Sequence, residues 1–317
     1  MNRDGKTLGI TGAFGYIGKR LLKRLEGDRE FSRIVCMDIA EPPGALPERF
    51  EYHRCDIRDG EKLLDIFRET GITAVVHLAF IAYPTRDPGF EYEVDVTGTA
   101  NVLRACTQTG VSRLVVASSD CAYGFFEDTP DYLKEDAPIR PTPGFPYSEN
   151  KAEIEEKVSA FARANPSCAV VVFRPCIVMG PTCRSTTAQS MLQPVIIGIR
   201  GYDPIMQFVH EDDTAEAFYL ALVSDAEGAF NLAADRGIRY SELAAFLGKP
   251  FIRLPAWFMY TLVELFYRLR LLPFGKAQLD YIRYPLSMDT ARIMQELVFK
   301  PRFTTTETLR SFLDAQH

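Results

Sequence analysis

A glycine-rich segment near the start of the chain limits its fold more than any other. The run GITGAFGYIGKRLLKRL, beginning at Gly9, spaces Gly12, Gly15 and Gly18 as G-x-x-G-x-x-G. A β-rich run, 7–11, precedes the glycines, and a helical pattern over 16–26 follows them. At such a strand-to-helix turn a small residue lets the backbone approach a pyrophosphate closely. The helix then offers free N–H groups and the positive end of its dipole. A glycine-rich turn without a ligand is the plain alternative, but the strand before and the helix after are both present.

The pattern downstream agrees with that start. Runs 33–38, 74–78, 113–118 and 169–173 read as further short strands. Segments 61–69, 96–108 and 149–164 carry apolar residues at helical spacing. Alternation of this kind predicts a parallel sheet covered by helices on both faces. Pro42, Pro43 and Pro47 mark a loop after the second strand, and a Pro-, Gly- and acid-rich stretch, 125–146, marks a longer one of the length that lids have. Beyond Pro175 the alternation breaks. A helix over 187–197, a short segment at 208–210 leading to a helix at 212–223, and helices over 255–269, 289–297 and 306–315 are expected. The fold class is therefore α/β: a doubly wound parallel Rossmann sheet with a smaller, mostly helical C-terminal lobe. The sheet domain takes 1–175 and about 205–235, and the substrate lobe takes 176–204 and 236–317.

Composition narrows the class of partner. A chain of 317 residues can bury a large core without disulfide or metal staples. Thirty-six Lys and Arg stand against 42 Asp and Glu, a net charge of −6 with no long basic run, which argues against nucleic acid. Seven scattered cysteines without a C-x-x-C pair read as reduced thiols, so a cytoplasmic location is expected. Four histidines, none paired at helical spacing, leave no metal site, and His210 and Asp213 are expected to fix a helix start instead. There is no signal-peptide core, and the longest apolar tract, 254–263, is too short to span a bilayer, so no transmembrane segment is expected.

Four further positions carry chemistry. Asp38 ends the second predicted strand, where a carboxylate can accept hydrogen bonds from both adenosine-ribose hydroxyls and repel a 2′-phosphate. That favours NAD over NADP. Tyr147 and Lys151, in Tyr147-Ser-Glu-Asn-Lys151, are four apart and share a helical face, where the ammonium can lower the phenol pKa by stabilising phenolate. Ser119, at the end of the preceding strand, can donate to a substrate oxygen. A Y-x-x-x-K spacing arises by chance on many helices; the glycine turn upstream and the serine between give it weight.

Together these motifs resemble the extended short-chain dehydrogenases/reductases of the NAD-dependent epimerase/dehydratase family. The resemblance runs along nearly the whole chain: TGAFGYIG (11–18), Asp38, CDI (55–57), HLAF (77–80), DVTGT (95–99), SSDCAYG (118–124), YSENK (147–151), RPCIVMGP (174–181) and FVHEDD (208–213). It implies a bound NAD held by Gly12, Gly15, Tyr16, Ile17, Gly18 and Asp38. Asp56 and Ile57 would border the adenine, and Leu78 and Ala79 would line the central cleft. Arg174 and Pro175 would lie beside the nicotinamide. Ser119, Tyr147 and Lys151 would be the catalytic triad, with Lys151 also holding the nicotinamide ribose. It implies hydride transfer at a carbinol carbon and a homodimer through 96–108 and 149–164.

Departures from the nucleotide-sugar branches bear on the substrate. Asp95 stands where asparagine is usual, and Cys121 follows Ser119-Asp120 where the sugar dehydratases place a glutamate base, although Asp120 could still serve as an acid. Ile177 and Met206 stand where many of those enzymes carry an asparagine and an arginine, and neither can donate to a diphosphate. Arg184 and Arg200 lie near in sequence and could substitute. The stretch 254–274 is dense in aromatic and aliphatic residues, resembling the hydroxysteroid-dehydrogenase and dihydroflavonol-reductase branches. A buried helix is its plainer reading, a ligand or membrane surface the other. The expectation is an NAD-dependent oxidoreductase acting on a secondary alcohol or ketone of a fairly apolar small molecule, with Asp120, Ile177 and Met206 at the substrate. The alternatives are a nucleotide-sugar 4-epimerase with recycled NAD and a non-catalytic cofactor sensor.

Overall fold

The computed structural model describes residues 5–316. Its centre is a seven-stranded sheet of β1 (Lys6–Thr11), β2 (Phe31–Asp38), β3 (Phe50–Arg54), β4 (Ala74–His77), β5 (Arg113–Ala117), β6 (Ala169–Pro175) and β11 (Gly228–Leu232). The spatial order is β11-β6-β5-β4-β1-β2-β3, and every neighbouring pair is parallel. Helices α1 (Tyr16–Leu25), α2 (Gly60–Thr70), α3 (Pro88–Tyr92), α4 (Gly98–Thr109), α5 (Pro146–Ala164) and α7 (Glu211–Val223) accompany it. Two apolar layers result. One includes Leu8, Ile10, Leu21, Val115 and Phe218; the other includes Val35, Leu63, Val75, Val102 and Ile154. The sheet is thus buried on both faces, which is why its strands read as apolar runs rather than as alternations.

All five strands expected from the sequence are present. Two more, β3 and β11, lie at the sheet edges. β3, FEYHR, is polar enough to leave only Phe50 fully buried, and an edge strand needs little more. The helix expected at 61–69 is α2, with Asp59 accepting from the Lys62 N–H at its start and Gly71 at φ 64° closing it. The helix expected at 96–108 begins as α4 only after a wider π-type turn, Glu93–Thr97.

The later elements are β7 (Ile177–Met179), α6 (Thr186–Leu192), β8 (Ile196–Ile199), β9 (Ile205–Met206), β10 (Phe208–His210), β12 (Ile238–Arg239), α8 (Tyr240–Phe246), β13 (Phe251–Leu254), α9 (Ala256–Arg268), α10 (Ala291–Glu296) and α11 (Thr305–Asp314). The helix expected over 187–197 stops early. Pro194 lacks the N–H a helix needs, and the chain turns extended into β8, parallel to β13. With β7·β10 and β9·β12, the region carries three small sheets besides its helices. His210 and Asp213 act at the start of α7. His210 Nδ1 accepts from the Asp212 N–H at 3.1 Å, and Asp213 accepts from the N–H groups of Arg302 and Phe303.

Parallel strands bring their carboxyl ends to one edge. Thr11, Asp38, His77, Ala117 and Pro175 end five of them. The candidate site forms there, as open α/β sheets require.

Candidate active site

The glycine turn is built by close approach. Gly12 has φ 68°, and a Cβ there would lie 2.7 Å from the backbone N of Ala79, so the turn runs against Leu78 and Ala79. A Cβ on Gly18 would lie 2.4 Å from the Gly12 carbonyl oxygen, which lets α1 sit on the turn that feeds it. Gly15 caps α1 without a side chain, leaving the N–H groups at Tyr16 and Ile17 uncapped by any neighbouring side chain. Asp38 stands beside them, its Oδ2 accepting from the Phe14 N–H at 2.8 Å and its Oδ1 from the Ala40 N–H at 2.9 Å. An uncapped helix start next to a carboxylate fits a dinucleotide: N–H donors for a pyrophosphate, acceptors for a ribose.

The neighbouring positions are more committed to the fold. The Tyr16 phenol turns away from the turn towards Cys183 and Glu211. It is buried there without a hydrogen-bond partner, and burial and then those two groups push its pKa far up. Ile17 packs on the core beneath the sheet. Ile57 is buried under Gly98, where a Cβ would come within 2.4 Å of it. The Asp56 carboxylate is bound by Arg58 at 2.6 Å, which holds it below the usual carboxylate range.

Tyr147 and Lys151 share the inward face of α5, which Pro146 opens at its first position. Lys151 is 1% exposed. Its Nζ donates to the Ala117 carbonyl at 2.8 Å, lies 3.3 Å from the centre of the Phe80 ring, and is 5.6 Å from the Tyr147 ring. Burial lowers its pKa to about 8, while Asp95 and Glu155 hold it up. Below Lys151, His77 bridges Thr11 Oγ1 at 2.7 Å and Thr99 Oγ1 at 3.0 Å, and burial lowers it to about 3, so the ring is neutral.

The phenol differs from the expectation drawn from spacing. Burial raises the Tyr147 pKa, and the charges of Cys121, Asp120 and Asp95 push the same way. Only the Ser119 hydroxyl beside it pulls down. The ammonium is a helical turn away and spends a donor on the backbone, so its charge alone does not turn the phenol into a base. Ser119 itself donates to Asp120 Oδ1 at 2.9 Å and accepts from the Cys121 N–H at 3.2 Å.

Asp95 sits in the π-type turn, where Oδ1 accepts the Ile81 N–H at 2.8 Å and Oδ2 faces Asn150 Nδ2 at 3.5 Å. Arg174 is a second departure. Its backbone ends β6 with Pro175 at the expected edge, but the guanidinium is folded into the protein. Nε and Nη2 donate to Glu155, and Nη1 donates to the Tyr123 hydroxyl at 2.6 Å and the Glu135 carbonyl at 2.9 Å. Glu155 also accepts from Ser118 at 2.5 Å. This buried network braces α5 against β6 and the 120–124 turn, behind Tyr147 and Lys151.

The three residues expected at the substrate come together. Asp120, Ile177 and Met206 line one pocket with Phe125, Tyr281, Tyr284 and Leu286, and no Lys or Arg is among its lining residues. Gln207, also at the wall, spends its amide on the Asp235 and Met288 carbonyls and on the Met288 N–H. Burial raises the Asp120 pKa to about 6, against the hydrogen bonds of Ser119 and Cys121. The aromatic wall went unread in the sequence. Its signal, YIRYPL over 281–286, is more than a hundred residues from Tyr147. Among the described residues no helix is long and apolar enough to cross a membrane, and no group of three or more His, Cys, Asp or Glu is placed to hold a metal ion.

Comparison with known proteins places these features in a class. Residues 8–233 match the NAD dependent epimerase/dehydratase family. The chain belongs to that family: it is an NAD-dependent enzyme of the extended short-chain dehydrogenase/reductase class. An uncharacterized Mycobacterium tuberculosis protein is 28% identical over 97% of this chain and 83% of its own length. The UDP-glucose 4-epimerase of Lacticaseibacillus casei is 25% identical over 75% of this chain and 79% of its own. The Thermus thermophilus UDP-glucose 4-epimerase, solved with NAD, shares the fold with a TM-score of 0.75 at 24% identity, over 98% of both chains.

Proposed function

We propose that this enzyme transfers hydride at a secondary alcohol or ketone carbon of a fairly apolar substrate, with Tyr147 moving the hydroxyl proton. The observation that carries this reading is the pocket lined by Asp120, the sequence neighbour of Ser119. Ile177, Ile205, Met206, Phe125, Leu286 and two tyrosines line it with Asp120 and Gln207, around a space of about 10 Å³ that a substrate would have to widen, and no Lys or Arg is among its lining residues to meet a diphosphate. Bound NAD supplies the hydride acceptor or donor.

The chain's own groups divide the remaining work. The N–H groups at Tyr16 and Ile17, with Gly12, Gly15 and Gly18, would hold the pyrophosphate, and Asp38 the adenosine ribose. Asp56 and Ile57 would border the adenine, and Leu78, Ala79 and Pro175 the central cleft, with Lys151 on the nicotinamide ribose. Because burial keeps the Tyr147 phenol protonated, the resting residue is a proton donor, suited to a substrate oxygen whose carbon is gaining hydride. Ser119 would donate to the same oxygen, which requires its hydroxyl to leave Asp120. Lys151, cationic below about pH 8, would stabilise a phenolate once the proton has moved.

A nucleotide-sugar 4-epimerase is the second reading. Curated relatives named UDP-glucose 4-epimerase favour it, as does Arg283. That guanidinium lies 4.6 Å from the centre of the Tyr284 ring at the pocket, and its buried Nε has no partner. A panel assay separates the two. NADH formed from hydrophobic alcohols supports the first; interconversion of UDP-sugar epimers without net NADH, and no turnover of any hydrophobic alcohol, sinks it.

A homodimer through α4 and α5 is part of the same proposal, supported by the exposed Phe90 and Tyr92 beside α5. So is a cytoplasmic location, which seven free, buried cysteines suit. Sedimentation velocity tests the dimer.

A further inference from the structure

Helix α9 carries large apolar side chains on both sides. Its inner side, Met259 and Val263, is buried against Ile199 and Leu279. Trp257, Thr261 and Leu265 recur every four residues along the other side and are exposed. That line continues past the helix end into Leu269 and Leu271. Trp257 is 73% exposed, Leu269 59% and Leu271 67%. The strand entering the helix adds exposed Ile252, cross-strand from exposed Ile197. A helix with two apolar sides has a neighbour on each.

Charge identifies the second neighbour. The chain carries a net −6, yet residues 249–276 hold Lys249, Arg253, Arg268, Arg270 and Lys276 against one carboxylate, Glu264. Three of these cations, Arg268, Arg270 and Lys276, are exposed at or just beyond the helix end; Arg268 pairs with Glu264 at 2.9 Å, and Arg270 and Lys276 have no carboxylate partner among the described residues. Arg270 holds φ 62° where the chain leaves α9, a left-handed position that glycine normally fills. Keeping an exposed arginine in that conformation breaks a local rule, as functional surfaces do.

We propose that α9 docks this enzyme on an anionic lipid surface. Trp257, Leu265, Leu269 and Leu271 would enter the headgroup boundary while Arg268, Arg270 and Lys276 meet lipid phosphates and carboxylates. The helix has 13 residues, too few to span, so it lies along the interface. The opposite side of α9 packs on Lys276–Ile282, the turn that carries Tyr281 of the pocket wall, which sets the proposed substrate cavity one layer from the lipid. Docking needs no turnover, so its test stands apart from the substrate reading.

Trp257 is the only tryptophan of the chain, so its emission reports on this face alone. The full-length protein is mixed with phosphatidylcholine vesicles with and without phosphatidylserine, and binding is followed by emission and by flotation. The expected result is a blue shift and co-flotation only with phosphatidylserine, both reversed by high salt. Arg270→Gly should bind about fivefold more weakly while melting no lower than the parent, which excludes misfolding as the cause. Equal behaviour towards both vesicles, unchanged binding by Arg270→Gly, or a dimer in sedimentation that Trp257→Ser abolishes would each overturn the proposal.

Discussion

Replacing Arg174 by methionine tests what the buried network behind the site does. The guanidinium and the Glu155 carboxylate are 7% and 9% exposed, and they meet through Nε and Nη2, the closer contact at 2.6 Å. Methionine keeps most of the stem's volume but strands a buried carboxylate, and removing one partner of such a pair costs about 3–5 kcal/mol. Ser118 still donates to Glu155, so the lower end, about 3 kcal/mol, is expected. Adding Glu155→Gln removes the uncompensated charge and should restore at least about 1 kcal/mol, because residues in one network couple by roughly that amount. Urea unfolding of the parent, both single variants and the double variant gives the cycle, and calorimetric titration with NAD reports the cofactor site in parallel. A parental unfolding midpoint for Arg174→Met together with lost NAD affinity would refute this, returning Arg174 to direct contact with the nicotinamide.

Two other changes follow from the geometry. Asp120 has a raised folded pKa, about 6, so its protonated form is favoured in the native state. That contribution is fully present below the ordinary value near 3.8, is lost as pH rises to about 6, and amounts to about 3 kcal/mol. Asp120→Asn should therefore unfold later than the parent at pH 7 but not at pH 4, and a gap that ignores pH contradicts it. Gly18→Ala places a Cβ against the Gly12 and Ala13 carbonyl oxygens at 2.4 and 2.5 Å. It should cost about 1–3 kcal/mol, read as weaker NAD binding in titration, and unchanged affinity counts against the packed turn.

The glycine turn, the five inner strands and the Tyr147–Lys151 pair were legible because each is a local pattern whose spacing carries its meaning. What escaped depends on contacts between distant segments. The edge strands β3 and β11 are short and need only one paired side, so they leave little apolar signal. Arg174 reads as a cleft residue until Glu155, nineteen positions earlier on α5, is seen to hold it. The phenol of Tyr147 shows the same limit. Spacing puts an ammonium on its helical face, but whether burial or charge governs its proton depends on Asp95, Asp120 and Cys121, which the fold gathers from two other loops. The Tyr281–Leu286 wall of the pocket comes from a stretch with no periodicity of its own.

Whether Tyr147 moves the proton is decided by comparing Tyr147→Phe with the parent, by initial rates of NADH formation with an alcohol that the parent oxidises and by NAD titration of both proteins. The account predicts a rate about 10²–10⁴-fold lower with cofactor affinity retained. Turnover by the phenylalanine variant at the parental rate would contradict it.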